Sequence, residues 1–155
     1  MEETIASKLI TYLYDIIDEI KSDNTYQIKV DFLEDNINSY SIDKVPVEKV
    51  VENWVLFGVR VCQDTYTFRS RFLYSSDQAD QLNNAGFWEA FENKIACNNL
   101  NRTLPAIDGI ESIECLDRGS LAYADGNTCE MNIQIRITYR EVIECEKSKQ
   151  QLTSL

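Results

Sequence analysis

The residues Cys129 to Glu141 alternate without a break, with Cys129, Met131, Ile133, Ile135, Ile137 and Tyr139 on one parity and Glu130, Asn132, Gln134, Arg136, Thr138 and Arg140 on the other. Successive side chains of a strand point to opposite faces, so the run predicts one long strand that is apolar on one side and polar on the other. Parallel strands are normally covered on both faces. A polar face this continuous therefore predicts an antiparallel sheet with one side free for solvent or a partner. No catalytic constellation sits on it.

With 155 residues, 44% of them hydrophobic, the chain is long enough for one core and too short for two domains. The expected layout is a single α+β domain over residues 1–142 followed by a polar, aperiodic tail over 143–155. No stretch approaches the roughly 20 apolar residues of a membrane span, and Met1 to Thr4 lack the basic and apolar regions of a signal peptide. The expectation is a chain that stays in a cytoplasm until it meets a partner, with no membrane involved. Five scattered cysteines without a Cys-x-x-Cys spacing indicate neither a disulfide framework nor a zinc site.

Histidine is absent, which removes the commonest general base, the Ser-His and Cys-His pairs and the commonest transition-metal ligand. Glycines are too scattered for a phosphate-cradling loop, and no nucleotide-binding or Gly-x-Ser-x-Gly pattern occurs. Asp108, Glu111, Glu114 and Asp117 form an acidic cluster whose spacing is not that of a calcium loop, and it reads as surface charge. No catalytic residue, metal or cofactor is expected. The net charge of −11 would repel a phosphate backbone. Base outnumbers acid only over residues 54–75, where Arg60, Arg69 and Arg71 stand against Asp64 alone. These arginines could be a solvated face or a basic strip for an acidic neighbour.

Along the chain, Ile5, Leu9, Leu13, Ile16, Ile17 and Ile20 predict an amphipathic first helix, with Glu2 and Glu3 favoured by its dipole, stopping near Ser22 to Asn24. Tyr26, Ile28, Val30 and Phe32 then alternate as a first strand. Residues 33–52 have a poor pattern: a long connection in which Val45, Val47, Val50 and Val51 fit either a short strand or one helical turn beside Pro46. Residues 54–75 read as two strands turning near Gln63-Asp64, or as one long bent strand, with Arg69 and Arg71 opposite Phe68 and Phe72. Ser76 or Asp77 would cap a helix carrying Ala79, Leu82 and Ala85, ended or bent at Gly86, and a second piece would carry Phe87, Trp88, Phe91 and Ile95. Ile110 to Leu116 predicts a strand, and an irregular tip over 117–128 would join a strand to the final one as a hairpin.

Several strings together, Asn84 to Phe91, Leu104-Pro105, Ile110 to Leu116, Gly119 with Ala122, and Ile133 to Tyr139, resemble a family of small structural proteins of Firmicutes phages and prophages. These are often labelled minor capsid proteins and are similar to tail terminators. The resemblance is best over residues 58–141, with a weaker echo at Ser41-Ile42 and Pro46-Val47. It implies a tail-terminator-like α+β fold, a mostly antiparallel sheet with an N-terminal helix and a bent helix on one face.

It also implies a function without catalysis: a ring, expected to be sixfold, that caps the tail tube, stops its polymerisation and joins the tail to the head or neck. Expected partners are copies of itself, the tail-tube and sheath proteins and a head-tail connector, with DNA passing through the lumen unbound. The expected place is the head-proximal end of the tail in a virion or a phage-derived particle. A chloramphenicol acetyltransferase label carried by some relatives is excluded by the missing histidine. Candidate interface residues are Arg60, Arg69, Arg71, Gly119, Leu121, Tyr123 and Gly126. Two rivals remain open: a head-tail connector or head-closure protein, and, in another class, a carboxylate enzyme or a small-ligand module with a pocket under Trp54 and Trp88.

Overall fold

The computed structural model describes residues 3–21, 26–54 and 57–143. Helix α1 spans Ile5–Ile20 and begins with a capping box: Thr4 accepts the Ser7 N–H while Ser7 Oγ accepts the Thr4 N–H. The cap itself, and no acidic first turn, meets the free amides at this end. Leu9, Leu13, Ile16 and Ile17 are buried as their spacing requires, each contributing about 1.5–3 kcal/mol relative to exposure. The expected stop at residues 22–24 lies outside the described residues, as do Val55 and the tail from 144 to 155.

Two fifteen-residue strands, β4 (Val59–Leu73) and β7 (Thr128–Val142), pair antiparallel along their whole length, from Val59 opposite Val142 to Leu73 opposite Thr128. The free edge of β4 takes β3 (Val50–Trp54) and β2 (Ser39–Val45), and β2 is flanked by β1 (Ile28–Val30), the one parallel neighbour. The free edge of β7 takes β5 (Ile110–Cys115) and β6 (Ser120–Asp125), both antiparallel. The architecture is α+β, a mostly antiparallel seven-stranded sheet with two helices.

The alternation of the last strand is realised as read. Cys129, Ile133, Ile135, Ile137 and Tyr139 are buried, while the residues between them keep partial exposure. Their partners on β4 are, in the same order, Phe72, Phe68, Tyr66, Asp64 and Cys62, of which the aromatic ones make the centre of the core. Helix α2 (Gln78–Asn101) covers these with Phe87, Trp88, Phe91 and Ile95, giving ring contacts such as Phe72–Phe87 at 5.1 Å and Phe68–Phe91 at 5.2 Å. Both helices contribute to this one core, and no described helix covers the opposite face of the sheet.

Several expectations need correction. Residues 59–73 form one strand, which is the second of the two readings and rules out the turn. Gln63 and Asp64 pair with Thr138 and Ile137, and the reversal lies earlier, at Gly58, whose φ of +63° suits glycine. The long connection over 33–52 contains β2 and β3. Its pattern was unreadable because Ser39 to Ile42 are buried on both parities: Tyr40 and Ile42 face the helices, and Ser41 on the other side accepts the Phe32 N–H and donates to Asp43. The first strand stops at Val30, since Asp31 takes φ +55° and leaves Phe32 exposed.

Gly86 neither ends nor caps anything, because α2 is a single 24-residue helix running through it. The cost of about 1 kcal/mol for an internal glycine is outweighed by the aromatic anchors that follow it. Leu82 points outward. The helix ends where Arg102 turns to φ +62° and the Thr103 N–H returns to the Asn98 carbonyl. The span expected as an irregular tip, 117–128, contains strand β6, and only the two-residue turn Gly126-Asn127, with glycine at the first central position and φ +61°, separates it from β7.

Candidate functional site

Strand parity divides the three arginines. Arg69 and Arg71 lie on the open face, as their alternation with Phe68 and Phe72 requires. Arg60 shares the parity of Cys62, Asp64 and Tyr66 and lies on the helix-bearing face. Each is already engaged within the chain. Arg69 meets Asp43 at 2.6 Å and Glu130 at 3.1 Å, Arg71 Nε donates to the Glu34 carbonyl at 2.7 Å, and Arg60 meets Glu141 at 2.7 Å. The acidic cluster is dispersed in the same way: Glu114 pairs with Arg136, Glu111 with Arg140, and Asp117 accepts the Gln134 N–H. The open face is thus a lattice of opposite charges held in register across strands, a pairing that fixes side chains more than it stabilises.

The four candidates around β6 play different parts. Gly119 is a packing residue: a Cβ there would run into the Trp88 ring. Gly126 makes the turn. Leu121 and Tyr123 are 50% and 59% exposed, and a bulge at Ala122 sends them to opposite faces, Leu121 beside Met131 and Tyr123 beside Glu130. All six residues of β6 are exposed.

The outer edges of β5 and β1 are partly capped, whereas β3, like β6, pairs with one strand only among the described residues. On β5 the Ile113 N–H reaches Asn99 Oδ1 and the Glu111 carbonyl receives Arg102 Nη1, and on β1 the Ile28 N–H reaches the Tyr14 hydroxyl. Among the described residues β6 pairs only with β7, so its outer backbone edge stands free. The tryptophans do not share a pocket wall as a ligand module would need: Trp88 is packed among Phe68, Phe72, Phe87 and Phe91, and Trp54 lies under the Arg140 guanidinium at 4.8 Å.

A polar end of the helix-bearing face escaped the sequence reading. Beyond the aromatic core, β4 continues through Tyr66, Asp64, Cys62 and Arg60, and β7 through Tyr139 and Glu141, past the first turn of α1. Glu141 accepts from Arg60 and pairs with Lys49 at 3.1 Å, and these two cations hold its carboxyl at about 2. Cys62 Sγ lies 3.6 Å from the same carboxylate, and burial together with that charge raises the thiol, which keeps it protonated. Asp64 is only 4% exposed. It receives the Tyr139 hydroxyl at 3.3 Å and has Lys44 at 3.8 Å. Burial, then the charges of Asp64 and Asp31, push Tyr66 up to about 12.

At neutral pH the cluster therefore offers the depressed Glu141 carboxylate, neutral phenols at Tyr66 and Tyr139 and a neutral thiol at Cys62. A parity count carried through Gln63-Asp64 would have found it; reading a turn there hid it. Among the described residues no three His, Cys, Asp or Glu side chains converge as a metal site, and no helix is long and apolar enough to cross a membrane. No protein-family model and no curated protein matches the chain.

Proposed function

We propose that the chain is a non-enzymatic assembly protein of a tailed phage or phage-derived particle. In this reading it is a tail terminator that closes into a ring of about six copies, stops growth of the tail tube and offers a joint to the head or neck. The observation that carries the reading is the unused pairing edge of β6, exposed along its length and flanked by Leu121 and Tyr123. An edge of this kind accepts another backbone readily, and natural proteins cap or charge those they do not use. A ring needs one patch to meet a different patch on its neighbour with a rotation that closes. The open face, with its charges already paired, is a second, rigid surface for the tail-tube, sheath or connector protein. The net charge of −11 supports passage of DNA without retention.

Electron microscopy of particles produced without this gene tests the reading: overlong or headless tails are expected, and tails of normal length joined to heads would overturn it. Native mass spectrometry of the purified chain with tail-tube protein reports the ring directly.

A further inference from the structure

At the polar end of the helix-bearing face, the first turn of α1 and the ends of β1 and β2 enclose a recess of about 420 Å³ over β4 and β7. One wall is apolar, made by Ile5, Ala6 and Val30. The opposite side carries Asp31, Asp64 and the rings of Tyr66 and Tyr139.

Two features distinguish it from an ordinary surface dent. Asp64 is an almost fully buried carboxylate whose one ion pair among the described residues is with the side chain of Lys44, at 3.8 Å and 64% exposed. Tyr66 is also only 4% exposed and lines the recess, yet its hydroxyl makes no hydrogen bond to any described residue. The phenol oxygen opens into the recess beside two carboxylates, where an entering donor can reach it.

The charges select the sign of the missing group. Lys49, which also lines the recess, is held by Glu141 at 3.1 Å. That leaves Asp31 and Asp64 against the loosely placed Lys44. An anion would have to sit beside both carboxylates, and the end of α1 offers little against them because the reciprocal Thr4 and Ser7 bonds occupy its cap. A divalent metal ion wants more oxygen ligands than two carboxylates supply.

We propose that this recess binds an alkylammonium group, its head between Asp64, Asp31 and the Tyr66 hydroxyl and its stem along Ile5, Ala6 and Val30. The chemistry is that of a free aliphatic amine or of a lysine side chain on another chain, and the ammonium replaces Lys44 at Asp64. The inference does not depend on the assembly reading.

The test is titration of the full-length protein, followed by calorimetry and by amide shifts in NMR spectra, with n-butylammonium, with N-acetyl-lysine methylamide as the mimic of a lysine on a partner, and with butyrate as control. Saturable binding of an amine and none of butyrate is expected. Preference for the lysine mimic assigns a protein partner, and equal or better binding of butylammonium assigns a free amine. Asp64→Asn should weaken binding about tenfold, and Tyr66→Phe a few-fold. Lys44→Ala, once its thermal melt shows a folded protein at the titration temperature, should tighten binding because the competing ammonium is gone. Absence of saturable amine binding to the parent protein, binding of butyrate as tight as that of the amines, or weaker amine binding in Lys44→Ala would each overturn the proposal.

Discussion

Glu141 stands directly opposite Arg60 in the β4–β7 ladder, and its Oε1 accepts from Arg60 Nη2 at 2.7 Å while its Oε2 meets Lys49 Nζ at 3.1 Å. Two cations on one carboxylate, at the far end of the two longest strands, tie β4, β7 and the segment before β3 together.

This relationship has a pH signature. Glu141 is depressed to about 2 from its usual 4.5, so its stabilising contribution is complete above the ordinary carboxylate range and fades as pH falls through about 2. Glu141→Gln should lower stability at pH 7 by about 1 kcal/mol, a partly exposed pair being worth no more. That corresponds to about 2–4 °C in Tm. The gap between variant and parent should close between pH 4.5 and 2 in thermal melts, and a gap that widens in acid would contradict this.

Gly119→Ala brings a methyl group against the Trp88 indole. Overpacking of this kind costs about 1–3 kcal/mol. Urea denaturation followed by tryptophan fluorescence should show the loss, and the same substitution at Gly86, where nothing stands near the added carbon, should be neutral or stabilising.

Arg69 bridges Asp43 on β2 and Glu130 on β7 while remaining mostly buried. Arg69→Ala leaves both carboxylates unpaired and should cost about 1–3 kcal/mol. A charge reversal there would disturb folding before it reported on any partner, so Arg69→Met, which keeps the packing and adds no new charge though it too leaves both carboxylates unpaired, is the milder probe of assembly. Circular dichroism melts separate the two effects.

If β6 is the joining edge, Leu121→Asp with Tyr123→Asp should abolish higher oligomers in size-exclusion chromatography with light scattering. The Tm of the monomer should stay within about 1 °C, since exposed positions away from packing rarely change stability. Retention of the ring in the double variant would place the joint elsewhere.

Among the described cysteines only Cys97 is exposed, whereas Cys62 and Cys129 are buried and Cys115 is raised to about 12, chiefly by burial. Brief treatment of the native protein with iodoacetamide, read by peptide mass spectrometry, should modify Cys97 far ahead of these three, and urea should equalise them.

How much the chain disclosed in advance depended on how each residue shows its environment. Cys129 to Glu141 could be read because one face is apolar and the other polar, and the same rule found the buried stripe of α1 and the inward Phe87, Trp88 and Phe91. It failed at Ser39 to Ile42, where burial on both parities erased the alternation. It also failed at Gln63-Asp64, where turn-favouring residues sit inside a ladder that the strands on either side hold extended. Gly86 misled for the same reason: a local preference worth about 1 kcal/mol yields to several buried aromatic rings.

Composition and periodicity by themselves determined an α+β chain with one antiparallel sheet, an apolar and a polar side to its last strand, and no histidine-based chemistry. Only the tertiary structure decided that β4 and β7 run together for fifteen positions, that Arg60 parts company with Arg69 and Arg71, and that Asp64 and Tyr66 close a recess with Asp31 and the start of α1. The physical reason is distance along the chain. Periodicity records which side of its own strand a residue faces, whereas partners brought from 30 to 80 residues away are set by the packing of whole elements, which no local pattern encodes.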